Sequence, residues 1–149
     1  MPTIRSRSWV AAPPDRVFTF FDDPANLSRL MPPPVRIELL WVDPAPPRPG
    51  SIFEFRYGIG PWQRTWTVRL LERVEGERFV DETISGPLVR FHHSHSFRAA
   101  RTGTWITDEV DFHVGPEGPA GATLDWLAGW VMRSTFVYRH ALQRWILSG

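Results

Sequence analysis

Near Gly121 the spacing of apolar side chains changes from every second residue to every third or fourth, and this limits the chain to a few folds. Before that point, short runs alternate apolar with polar residues. Val35, Ile37, Leu39 and Trp41 share one parity in 35–42, Phe53, Phe55 and Tyr57 in 51–57, and Trp66, Val68 and Leu70 in 62–72. Further strands are expected over 4–10, 77–84, 88–100 and 104–114. They are separated by Gly58-Ile-Gly-Pro61, Glu75-Gly76, Ser85-Gly-Pro87 and Arg101-Thr-Gly103, with a proline-rich turn over 43–50. Strands this closely spaced, joined by short turns, make an antiparallel meander. Pro13-Pro14-Asp15 opens a short helix over 16–21, since proline and an early acid suit a first turn. Asn26 is placed to cap a second over 27–31, ended by the prolines at 32–34.

Beyond the loop 115–121, a candidate lid, Leu124, Leu127, Val131, Thr135, Tyr138, Leu142 and Trp145 fall on one arc of a helical wheel. Trp126, Trp130 and Val137 widen the arc. Arg133, Arg139, His140, Gln143 and Arg144 take the other side, with Gly129 among them. The pattern predicts a helix over 122–147, roughly 36–39 Å long, lying across the sheet with the apolar arc inward. The chain is thus α+β, and its 149 residues suit one domain, 1–149.

Composition narrows the function classes. Net charge is +1 with both signs interspersed, so no nucleic-acid or membrane-surface footprint is visible, and no apolar run is long enough to span a bilayer. Cysteine is absent, which removes disulfides, thiolate metal sites and a cysteine nucleophile. No signal-peptide pattern opens the chain, so a cytoplasmic location is expected and the Asn26-Leu-Ser28 sequon has no bearing. Fifteen prolines and few amide side chains are compatible with a thermophilic source, although the absence of lysine equally fits a GC-rich genome. Eight tryptophans and ten phenylalanines exceed the needs of a core this size and point to a cavity.

The order of strand, two short helices, six strands and long C-terminal helix resembles the helix-grip superfamily of START domains, polyketide cyclases and birch-pollen allergens (SRPBCC). Several segments are similar to a bacterial ligand-binding branch of it. They are Asp23-Pro-Ala-Asn-Leu27 with Met31-Pro-Pro33, Phe79-Val-Asp81, Gly86-Pro87 with His93-Ser-His-Ser-Phe97, and Gly103-Thr104 with Asp108-Glu-Val110. Pro116, Gly118 and Tyr138-Arg139 complete the set. The resemblance implies a curved antiparallel sheet of about seven strands gripped by the C-terminal helix. It leaves function open, because the superfamily hosts carriers, cyclases, hormone receptors and chaperone activators.

The candidate site lies on the strand 88–100. Phe91, His93, His95 and Phe97 share one parity and so one face. On the next strand Ile106, Asp108, Val110, Phe112 and Val114 form the apolar set. A two-residue turn at Arg101-Thr102 pairs Ala100 with Gly103 and sets His95 opposite Asp108, Phe97 opposite Ile106 and Phe91 opposite Phe112. Both strands then place the histidine face inward. The 85–87 turn brings Asp81 near Phe91 or His93, which puts the two histidines between two acids. His92, His113 and His140 read as solvated, Phe136 as an exposed residue available for a dimer contact, and Arg64 as near the mouth or reaching solvent.

Such a cluster admits several readings. It is a satisfied buried network, or it orients a ligand's hydroxyl or carbonyl in an apolar pocket of roughly 300–1,000 Å³. Alternatively, His93 and His95 with Asp81 and Asp108 are the catalytic candidates of a cyclase, dehydratase or hydrolase. The ligand types also suit a metal, but each histidine would already be held by an acid, so no metal or cofactor is assigned. Binding of a small hydrophobic or lipid-like molecule between the sheet and the C-terminal helix is the favoured function, with a protein-interaction module as a third class. Its expected wall is Phe53, Phe55, Tyr57, Trp66, Phe79, Asp81, Phe91, His93, His95, Phe97, Asp108, Val110 and Phe112 from the sheet, and Leu124, Leu127, Val131 and Thr135 from the helix. Oligomeric state is left open.

Overall fold

The computed structural model describes residues 3–86 and 88–148; Pro87 of the predicted 85–87 turn lies outside them. The elements are β1 (Thr3–Val10), α1 (Pro14–Asp22), a 3₁₀ helix (Pro24–Leu30), β2 (Arg36–Asp43), β3 (Ile52–Ile59), β4 (Trp62–Val74), β5 (Arg78–Ser85), β6 (Arg90–Ala100), β7 (Gly103–His113) and α2 (Pro119–Ser148). The sheet order is β1-β7-β6-β5-β4-β3-β2. After β1 the chain crosses by way of the two short helices to the far edge, then meanders back until β7 pairs with β1. This is the helix-grip architecture.

The β6–β7 ladder has the expected register, with Ala100 opposite Gly103, Phe97 opposite Ile106, His95 opposite Asp108 and Phe91 opposite Phe112. On the other side of β6, Asp81 pairs with His93 and Phe79 with His95. Elsewhere the alternation slips. An extra residue at Leu40 makes a bulge in β2, so Leu39 faces Phe55 and Trp41 faces Glu54. Trp41, expected inside, therefore turns outward, while Val42 packs on the core. Two further bulges, one at Ile84 of β5 and one at Leu71 of β4, interrupt the β4–β5 ladder beside the cavity.

α1 and the 3₁₀ helix close one end. Arg73 Nε and Nη2 each lie 2.8 Å from an Asp22 carboxylate oxygen, and the guanidinium sits over the Phe18 ring. A bidentate pair of this kind fixes direction as well as distance, and here it anchors the end of α1 to β4. Asp23, rather than Asn26, caps the 3₁₀ helix by accepting from the Ala25 N–H (3.0 Å). Asn26 instead donates its Nδ2 to the Phe20 carbonyl (2.8 Å).

α2 departs most from expectation. Its inward side carries Gly121, Asp125, Gly129, Phe136, Arg139, His140, Gln143 and Leu147, all buried. Most of the predicted inner arc faces out: Leu124, Trp126, Leu127, Trp130, Val131, Val137 and Trp145 are exposed, Val131 to 68% and Trp145 to 77%, while Leu142 packs on the core. The helix is thus turned by roughly a third of a revolution from the apolar-arc reading.

Contacts at the first half of the helix favour this turn. Gly121 lies against the loop, where a β-carbon would overlap the carbonyl oxygen of Pro116. Gly129 faces Phe112, whose ring an added β-carbon would meet at 3.7 Å, an ordinary packing distance. Asp125 accepts from the Val114 N–H (2.7 Å) and lies 2.6 Å from His113 Nδ1, tying the helix to the end of β7. The Val114 N–H, with His113 assisting, holds the Asp125 carboxyl below its ordinary range. His113 and His140, expected in solvent, are both partnered, and Phe136 is buried among Ile4, Val110 and Phe112. Phe136 therefore offers no surface for a dimer contact.

Candidate functional site

Asp108, with no exposed surface, is the hub of the interior. Its Oδ1 lies 3.0 Å from His93 Nε2 and 2.6 Å from His95 Nδ1, and its Oδ2 lies 3.2 Å from His140 Nε2. The approach to His95 is close but off the axis of a hydrogen bond, which leaves His95 Nδ1 without a well-directed partner. Ser6 Oγ of β1 lies 3.3 Å from His140 Nδ1. Parity puts His93 and His95 on the inner face of β6, and α2 lowers His140 onto the same carboxylate.

Burial alone would raise the Asp108 carboxyl, and it is the largest single influence. The electrostatic pull of His95 and the hydrogen bonds from His140 and His93 together outweigh it, so the group sits well below the usual carboxylate range. Asp108 is thus an ionised, acceptor-only group, and the nitrogens of His93 and His140 that face it carry protons. Burial, reinforced by the neighbouring His95, pushes His93 down from its ordinary value and keeps its ring neutral.

These residues form the polar end of a cavity of about 130 Å³. Phe53, Phe55, Trp66, Phe79 and Phe91 from the sheet wall it, and Phe20, Phe21, Leu27 and Leu30 close it from the helical side. Trp66 is held by its Nε1–H donating to Thr83 Oγ1 (2.8 Å) and meets Phe91 edge-on. Phe21 lies against the His95 ring, with centroids 5.2 Å apart. Asp81, His93, His95 and Arg139 line the polar end. Burial raises the Asp81 carboxyl, although His93 and Arg139 oppose the shift. Burial also lowers the Arg139 guanidinium, while Asp108 and Asp81 oppose that.

Several expected wall residues stand elsewhere. Tyr57 and Phe97 pack in the main core. Asp108 sits behind the histidines, and Val110 and Phe112 belong to a separate cluster beneath α2. Leu124, Leu127 and Val131 point outward with the rotated helix, and Thr135 bonds back to the Val131 carbonyl (2.9 Å). The cavity therefore lies between the sheet and the two short helices, and Arg139 is the α2 residue that reaches it. Arg64 is exposed and His92 is half-buried, outside this set. A second, more open hollow of about 560 Å³ runs along the first half of α2, past the paired His113 and Asp125. As for a metal, the ligand atoms of His93, His95 and Asp108 lie within 4.8 Å of one another, a donor set that a divalent ion can use.

A curved antiparallel sheet, a gripping C-terminal helix and an internal cavity with one polar end define a helix-grip domain. The chain belongs to the family described as polyketide cyclase / dehydrase and lipid transport, which matches residues 10–140. No curated protein matches it in sequence. Among solved structures it is similar to protein CV1439 from Chromobacterium violaceum, with a TM-score of 0.68 and 23% identity over 94% of this chain and 95% of that one. Ara h 8.0201 shares the fold with a TM-score of 0.65 and 14% identity over 94% and 95% of the two chains. The di-domain ARO/CYC StfQ from the steffimycin biosynthetic pathway gives a TM-score of 0.73 and 14% identity, over 98% of this chain and 50% of that one. Among the described residues, no helix is long and apolar enough to cross a membrane.

Proposed function

We propose that the chain binds a small hydrophobic molecule in the aromatic cavity. The observation that carries this reading is the contrast within that cavity, where aromatic rings make most of the wall and Asp81, His93, His95 and Arg139 gather at one end. Such a site buries an apolar body and orients one polar group. The family's description, which includes lipid transport, supports binding as its general role. The size of the cavity narrows the ligand. About 130 Å³ is less than the several hundred expected, and close to the ~150 Å³ of an engineered cavity that takes up benzene. The body of the ligand is therefore about one ring or a short branched chain, and a long acyl chain does not fit the cavity as it stands.

The mass of the purified protein under native conditions, compared with its denatured mass, tests this. An excess of one to two hundred daltons lost on denaturation is expected. Equal masses, together with no uptake of small aromatic probes, would overturn the reading.

One observation favours a second, enzymatic reading of cyclase, dehydratase or hydrolase type. Asp81 opens into the cavity as a carboxyl raised by burial, beside a neutral His93 oriented by Asp108. This supplies an acid and a base at one end of an apolar pocket. In that case His93→Ala or His95→Ala abolishes conversion of a defined substrate while the fold survives. A binding protein with the same substitutions changes only its affinity.

A further inference from the structure

Arg139 carries a charge into the interior without a bonded partner. It is 8% exposed, and among the described residues no hydrogen bond or ion pair reaches its guanidinium, whose Nε is buried and unpartnered. The one contact to its charge is the face of Phe136, 5.3 Å from the guanidinium carbon. Arginine stays protonated in proteins, and a buried charge requires an opposite charge or a full set of hydrogen bonds.

Neither nearby acid supplies one. Both oxygens of Asp108 are engaged by the histidines at 3.2 Å or less. Asp81 lines the same polar end but makes no ion pair to Arg139, and His93 and His95, which also line it, are not anions. The guanidinium thus presents free donors to a space otherwise walled by rings.

We infer that the ligand is an anion, a monocarboxylate with an apolar body of about one ring, whose carboxylate pairs with Arg139 while its ring lies against Trp66, Phe55 and Phe91. This rests on the binding reading above and names the chemistry of the same site. A planar carboxylate matches the fork of guanidinium donors in a bidentate pair. The ~130 Å³ cavity admits a body the size of a phenyl group.

Calorimetric titration with phenylacetate and with 2-phenylethanol, which differ mainly in the charged end, tests the inference. The wild-type protein is expected to bind phenylacetate at least tenfold more tightly, and Arg139→Gln to abolish that preference while still binding the alcohol. Equal affinity of the wild type for both probes, or a preference that survives in Arg139→Gln, overturns the carboxylate assignment and leaves hydrophobic binding standing. Binding of neither probe overturns both. Should Arg139→Gln fail to fold, Asp81→Asn carries the test. Removing the competing acid is expected to raise the preference for phenylacetate over 2-phenylethanol severalfold, and an unchanged ratio of the two affinities overturns the assignment.

Discussion

The two faces of α2 are nearly the reverse of what a surface helix ordinarily presents. Its inner face brings Asp125, Arg139, His140 and Gln143 into the fold, while its outer face shows Trp126, Leu127, Trp130, Val131 and Trp145 to solvent. An apolar stripe marks a buried face only when what it meets is also apolar. Here the sheet presents Asp108 and two histidines beneath the second half of the helix. An ionised carboxylate without partners is costly to bury, and His140 satisfies it where a leucine would not. Beneath the first half, Gly121 allows the helix to approach the loop closely. The partners offered by the sheet and loop set the rotation, and the hydrophobicity of the helix does not.

Substitutions can break this contrast. Asp108→Ala strips His93 and His140 of their common acceptor, and a loss of about 3–5 kcal/mol in urea unfolding is expected. A loss below about 1 kcal/mol would show that the inner face is not organised by that carboxylate. Gly121→Ala drives a β-carbon into the Pro116 carbonyl and should cost about 1–3 kcal/mol as the loop or helix gives way. Thermal unfolding reads this, and an unchanged midpoint would contradict the close approach.

Acidity should sharpen the comparison in a third way. His93 has a lowered folded pKa, so the unfolded chain takes up its proton first as pH falls below about 6.5. Its contribution to stability is complete above that value and declines below it. Asp108, also lowered, contributes fully above the ordinary carboxylate range and is lost in acid further down, through its depressed folded value. Denaturant midpoints between pH 7.5 and 5.5 should therefore fall for the wild type and flatten for His93→Gln. An unchanged slope would remove His93 from the account. Val131→Glu, on the outer face, should move stability by no more than about 0.5 kcal/mol. A large loss there would mean that this face is covered.

What could be read from the chain follows the same division. The β6–β7 register was legible because a two-residue turn and two alternating strands permit one pairing that puts Phe91, His93, His95 and Phe97 inside. Asp81 beside His93 followed from the next turn. The Leu40 bulge was not legible, since every residue from Leu39 to Val42 is apolar and either parity fits. The helix rotation was hidden because polarity was taken as a mark of solvent. That same assumption set Arg139 and His140 aside, although Tyr138-Arg139 lay among the segments shared with the superfamily. The rings of α1 and the 3₁₀ helix that close the cavity were legible as apolar, but their placement over β4 depends on long-range contacts such as Arg73 with Asp22.

The position of Trp66 has an optical consequence. Of the eight indoles in the chain, it is the one that lines the cavity, while Trp41, Trp62, Trp126, Trp130 and Trp145 all face solvent. Emission from the native protein is thus weighted toward rings already in water, so unfolding shifts its colour little and an arriving guest perturbs a small share of it. Replacing the other seven indoles, the half-buried Trp9 and Trp105 included, with phenylalanine would leave a spectrum in which Trp66 reports directly on whether the cavity is full.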